Sequence, residues 1–135
     1  NPKFSEKSLD DKIYEIKAKK GLKSENEIDL FTIEGKFKSK NNGKWIFLEA
    51  DIGKYQQSIN LIKLEKNIKF YTDEGEIVKS NYASYDIINN VINMEENIIH
   101  EINNGVVYSD KSIISKNFNN LLYTGNVSAT LRVND

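Results

Sequence analysis

The strongest constraint in this sequence is a unit that returns about every thirty residues. Its clearest copy runs from Leu61 to Asp86. Ile62 and Leu64 alternate up to Asn67, and Ile68 and Phe70 resume the alternation after it. A polar turn, Asp73-Glu74-Gly75, follows, and then Val78, Ser80 and Ala83, one apolar residue and two small ones. The first half returns as Ile92, Met94, Asn97, Ile98 and His100, with a turn at Asn103-Asn104-Gly105. The second half returns as Val107, Ser109 and Ser112, and a further copy reads Leu121, Tyr123, Asn126, Val127 and Ala129. Weaker copies come earlier: Leu48, Ala50 and Gly53 match the small-residue part, as do Ile16, Ala18 and Gly21. Gly53-Lys54-Tyr55 lines up with Ala83-Ser84-Tyr85. A repeat at this interval means stacked supersecondary units that share one core.

Inside each unit the apolar residues recur with a period of two, which is the period of a strand with one buried face. From Lys12, Tyr14, Ile16 and Ala18 fall on one face, and Glu15, Lys17 and Lys19 on the other. Ile28 to Phe37 is a second strand region, with a bulge or bend expected at Glu34-Gly35. Between Lys44 and Ala50 both faces are partly apolar; aligning the repeats turns Ile46, Leu48 and Ala50 inward and Trp45, Phe47 and Glu49 outward. Gly43, Gly75 and Gly105 each close a polar turn, which suits hairpins that need a positive φ. Ile87, Ile88, Val91 and Ile92 have helical spacing, but the β-branched content and the match to residues 59–70 make this region strand. No helix is expected.

Residues 1–11 are polar and hold the only proline, so they read as a flexible lead-in to a single domain over 12–135. The expected fold is all-β: short antiparallel hairpins stacked along one axis and curling into two sheets. Ala18, Ala50, Ser80 and Ser109 are expected to leave room near the backbone. If the sheets splay, the interior is an apolar trough; if they close, it is a sealed sandwich, and both use the same residues.

Composition removes several function classes. With 19 basic and 20 acidic residues the formal net charge is −1, so no large field attracts nucleic acid or an anionic membrane. There is no cysteine, hence no disulfide framework and no thiolate metal site. His100 is the single imidazole, and a metal site would need partners where there is no Cys and no second His. No apolar run reaches 18 residues. The chain begins at Asn1 without a Met, as expected of a processed form from which a signal or anchor has been removed.

The order of these pieces resembles the periplasmic lipopolysaccharide-transport proteins of Gram-negative bacteria, the LptC family and its sibling LptA, within the OstA-like superfamily. The resemblance covers roughly Lys12 to Val133. It rests on Asn67-Ile68-Lys69-Phe70-Tyr71 with Asp73-Glu74-Gly75, on Val78-Lys79-Ser80 followed by Ala83-Ser84-Tyr85-Asp86, and on the closing Gly125-Asn126-Val127-Ser128-Ala129. Ile13-Tyr14-Glu15-Ile16-Lys17-Ala18 looks like the opening of LptC, and one copy of the full set fills the chain. The departures are the weak first copies and the lack of an N-terminal membrane segment.

The resemblance implies a twisted β-jellyroll, an open two-sheet trough that holds acyl chains and needs no cofactor or metal. It implies a non-enzymatic protein of the periplasm, anchored to the inner membrane by a segment outside this chain. Such a protein takes lipopolysaccharide from the inner-membrane ABC transporter and passes it to an LptA-like protein. Carried over by position, the lipid-binding lumen would be Phe31, Ile46, Leu48, Ile68, Phe70, Val78, Ile98, His100, Val127 and Ala129. The partner edges would be the first strand, with Ile13, Tyr14, Ile16 and Ala18, and the last, with Val127, Ala129, Leu131 and Val133.

Other readings of single residues are plainer. Asp73, Glu74, Glu76, Glu95 and Glu96 fall at turns and solvent faces, where a charge needs no catalytic role. No phosphate-binding glycine loop and no nucleophile elbow is present. Asn126-Val127-Ser128 spells a glycosylation sequon in a chain that is rich in Asn throughout. Trp45 is read as packing rather than ligand stacking. Two alternatives stay open: an LptA-like soluble bridge of the same fold, and a carbohydrate-binding β-sandwich with a sealed interior and aromatic side chains on a polar face.

Overall fold

The computed structural model describes residues 3–7, 13–38, 43–115 and 120–133. Ten strands follow one another: β1 (Lys3–Lys7), β2 (Ile13–Lys23), β3 (Glu27–Lys38), β4 (Trp45–Gln56), β5 (Leu61–Thr72), β6 (Ile77–Asp86), β7 (Val91–Ile102), β8 (Gly105–Ser115), β9 (Asn120–Thr124) and β10 (Ser128–Leu131). All pairings are antiparallel and join neighbours in the chain as far as β8. The outer edge of β8 is shared, with β9 paired to Lys111–Ser115 and β10 to Gly105–Tyr108. The only helical element among the described residues is one 3-10 turn at Gln57–Ile59. The protein is all-β, an antiparallel jellyroll-like trough made from one open sheet whose ends do not meet.

The repeat is what bends that sheet. In β5, Ile62 and Leu64 are buried, residues 65–67 are exposed, and Ile68, Phe70 and Thr72 are buried again. In β7 the same pattern reads Ile92 and Met94, then 95–97 exposed, then Ile98 and His100. The neighbouring β6 and β8 cross the same level with two exposed or half-buried residues instead of three. Thus Lys66 and Asn67 face Asn81 alone, and Glu96 and Asn97 face Asp110 alone. One extra residue on alternate strands is a β-bulge, which bends the strand and steepens its twist. Both residues of each bulge take positive φ, 67° and 53° at Lys66-Asn67, 67° and 58° at Glu96-Asn97. The repeated Asn is therefore the corner residue, since Asn tolerates this region better than most side chains. Asn126 (φ 49°) is the third corner, between β9 and β10. Its Nδ2 donates to Asp110 Oδ2 at 2.9 Å, as Asn67 Nδ2 donates to Asp51 Oδ2 at 2.7 Å.

The bends line up, so the two halves of the sheet face each other and bury one interior, which includes Leu30, Ile46, Leu64, Phe70, Val78, Met94 and Ile114. Tyr55 and Tyr85 mark the repeat again: each hydroxyl donates to the side-chain oxygen of the αL Asn at the following turn, Asn60 at 3.3 Å and Asn90 at 3.2 Å.

Three local expectations change. The irregularity of β3 lies at Thr32 (φ 57°), whereas Glu34 and Gly35 pair regularly on both sides, because Thr32 stands at the level of the other corners. Gly43 and Gly75 do take positive φ, but Gly105 does not; it opens β8, where a Cβ would stand 2.4 Å from the Thr130 carbonyl oxygen. Ser80 and Ser109 are both buried. Their hydroxyls donate to the Tyr82 and Lys111 carbonyls at 3.2 and 3.0 Å, satisfying backbone groups that the bulge frees. Within the 1–11 lead-in, Lys3–Lys7 is strand β1, paired with Ile13–Lys17.

Candidate functional site

Of the residues placed in the lumen from sequence, Ile46, Leu48, Ile68, Phe70, Val78, Ile98 and His100 are buried on the inner face, Phe70 with 0% exposure. Strand β4 thus turns Ile46, Leu48 and Ala50 inward, in the register obtained by aligning the repeats. Three residues lie elsewhere. Phe31 is half-buried on the outer face under the Lys20 ammonium, because Leu30 takes the inward position before the Thr32 corner. Val127 is 52% exposed beside the Asn126 corner, and Ala129 is exposed on β10. Their resemblance to the earlier copies is in spacing only.

The edges also differ from expectation. Ile13, Tyr14 and Ile16 are not on a free edge, since β1 pairs there; Ala18 lies just beyond its reach and is buried inward. At the other end no strand among the described residues pairs with the outer side of β10, with Ala129 and Leu131 on that short strand and Val133 following it.

Between the two halves, near the β2 side, the interior opens as a cleft with about 50 Å³ of room. Ile16, Phe37 and Leu48 form one wall; Leu30, Tyr55, Ile62, Tyr85 and Ile87 form the other. Phe37 and Tyr85 bridge the walls, their rings stacked with centroids 5.4 Å apart. The cleft is apolar to its floor and opens past Glu15 and Lys36 at its rim.

Toward β8 and β9 the interior changes character. His100, only 3% exposed, is held from both sides. Its Nε2 lies 3.1 Å from Glu76 Oε2, and its Nδ1 contacts the Tyr123 hydroxyl. A carboxylate can only accept, so Nε2 carries the proton and donates to Glu76; Nδ1 then accepts from the Tyr123 O–H. A neutral imidazole satisfies both partners at once. Burial pushes the His100 pKa down, with the Glu76 carboxylate pulling the other way. Burial, and then Glu76, pushes the Tyr123 hydroxyl up, so it keeps the proton that it donates. The cluster ties the β5–β6 turn, β7 and β9 together across the bend. Ser109 and Ser112 extend the polar lining, and the Ser112 hydroxyl has no partner among the described residues.

Sequence reasoning placed His100 inward but left Glu76 on a solvent turn and gave Tyr123 no role. Parity held the missing signal: 76 shares the inward register of Val78 and Ser80, and Tyr123 follows Leu121 in the register of Met94. Among the described residues no group of three His, Asp or Glu side chains converges to hold a metal. Compared with known proteins, the chain matches no protein-family model and no curated protein sequence.

Proposed function

We propose that the protein is a non-enzymatic lipid carrier, an LptC-like component that accepts lipopolysaccharide from an inner-membrane ABC transporter. In this reading it works in the periplasm at the inner membrane and hands the lipid to an LptA-like neighbour. The observation that carries the proposal is the apolar cleft between the two halves, continuous with an interior of Ile, Leu, Val and Phe. Acyl chains left in water cost about 0.8 kcal/mol per CH2. A cleft with about 50 Å³ of room marks where the halves begin to separate rather than a finished acyl site. Loading parts the halves from this mouth and exchanges side-chain contacts for contacts with the chain. The outer side of β10, unpaired among the described residues, supports onward transfer, since an unpaired strand accepts another strand by main-chain hydrogen bonds.

The test is photocrosslinking of lipopolysaccharide to a photoreactive phenylalanine analogue at Tyr55, in the cleft wall, with Lys54 on the outer face as control. A lipid adduct at 55 and none at 54 is expected. Adducts at neither position, or equally at both, would sink the carrier reading.

A further inference from the structure

The outer face of β3, β4 and β5 carries an aromatic and basic strip that faces away from the interior and meets the rim of the cleft at Lys36. Trp45 and Phe47 stand two residues apart on β4, and Tyr71 is the direct cross-strand partner of Phe47. Their rings run nearly parallel: Trp45 to Phe47 has centroids 6.3 Å apart at 18°, and Phe47 to Tyr71 has centroids 5.1 Å apart at 21°. All three are half-buried on the face that the rest of the sheet gives mainly to Lys, Glu and Asn. Cross-strand packing explains part of this row. It does not explain the charges around it.

Lys36 and Lys38 hold their ammonium groups 5.7 and 5.5 Å from the Trp45 ring centroid, and Lys69 lies 4.9 Å from that of Tyr71. Among the described residues none of these three lysines forms an ion pair with a carboxylate, although Glu34 and Glu49 share the same face. Beside the rings lies a polar hollow of about 270 Å³, bordered by Lys17, Glu34, Lys36, Glu49, Phe47 and Tyr71.

We infer that this strip binds an acidic saccharide. A sugar presents an apolar C–H face to an aromatic row, as amphipathic rings favour ligands with one greasy side. Its hydroxyls would donate to Glu34 and Glu49 in the hollow. An anionic substituent would take the ammonium groups of Lys36 and Lys38, which the rings hold in place without neutralising them. Neutral peptides and acyl chains use only part of this set.

Trp45 is the only tryptophan, so its emission reports on the strip alone. The probe is a phosphorylated oligosaccharide released from lipopolysaccharide by complete deacylation; lacking acyl chains, it tests this site without testing the cleft. A saturable emission change is expected, about tenfold weaker for a neutral maltooligosaccharide and for the surface double variant Lys36→Gln/Lys38→Gln, as two exposed charge contacts allow. Tyr71→Ala should abolish it while the far-ultraviolet spectrum stays that of a β protein. No saturable change, or equal affinity for the acidic and neutral sugars, would overturn the inference.

Discussion

The two ends of the interior are built from the same repeat and do opposite things. Near β2 the described residues of the two halves meet through hydrocarbon and the stacked rings of Phe37 and Tyr85, and a cleft opens between them. Near β8 they are held by directed bonds, Glu76 to His100 to Tyr123. Apolar contacts have no preferred direction, so surfaces held by them can part and take up another apolar surface at little net cost. Buried hydrogen bonds are lost whole when their geometry is broken. One fold can thus be loose at its mouth and fixed at its far end without changing its backbone plan.

The largest effect should come from the packed middle that both ends share. Phe70→Ala removes a fully buried ring and should cost about 3–5 kcal/mol by urea unfolding, because neighbours on both halves cannot collapse into the space. Phe37→Ala should fall at the bottom of that range, since its ring borders the cleft and the hole is open to solvent. Equal losses would remove the contrast between mouth and middle.

The fixed end should break for a smaller price. Tyr123→Phe keeps the ring and deletes the hydroxyl, leaving His100 Nδ1 buried without a donor. A loss of about 1–3 kcal/mol is expected, measured by the same unfolding titration. A neutral result would mean that the cluster does not clasp the halves.

The proton balance of His100 sharpens the same point. Its pKa is lowered in the folded protein, so the unfolded chain takes up the proton first as pH falls below the ordinary histidine value of about 6.5. Stability contributed by the neutral imidazole is therefore complete above that pH. It declines from about pH 6.5 downward, by at most about 1.4 kcal/mol per pH unit for one proton, and levels off below the folded pKa. Comparison of wild type with His100→Gln between pH 7 and 5 should show this slope in the wild type only.

The smallest effect lies at the corners, which serve both ends alike. Asn97→Ala puts a Cβ-bearing residue without a local hydrogen-bonding side chain at φ 58°, and should cost about 1 kcal/mol, whereas Asn97→Gly should cost less. Thermal unfolding of the pair decides it; a costlier glycine would show that the Asn side chain, not the backbone angle, makes the corner.

Much of this was legible in the chain. The thirty-residue repeat carries the corner Asn residues, the inward alternation of β5 to β8 and the paired Tyr55 and Tyr85, because each is a local backbone requirement restated in every unit. The inner register of β4, ambiguous from Trp45 and Phe47 alone, followed from alignment with β5 and β6. What could not be read was whatever depends on the meeting of distant strands. Phe31, Val127 and Ala129 have the right spacing, but their faces depend on where a corner falls and whether a strand lies opposite. Strand β1 is polar and became an edge only by pairing with β2. The Glu76–His100–Tyr123 cluster joins residues 23 and 24 apart in sequence, and no single stretch announces it.

The most direct measurement asks whether the halves must part at the mouth. The chain has no cysteine, so Ile16→Cys and Ile87→Cys can be introduced on opposite walls of the cleft and bridged with a short bis-maleimide. Lipopolysaccharide uptake from micelles is then compared between bridged and unbridged protein, each folded by circular dichroism. If loading requires the halves to part, bridging abolishes uptake while the unbridged variant loads. Equal uptake by both would contradict it.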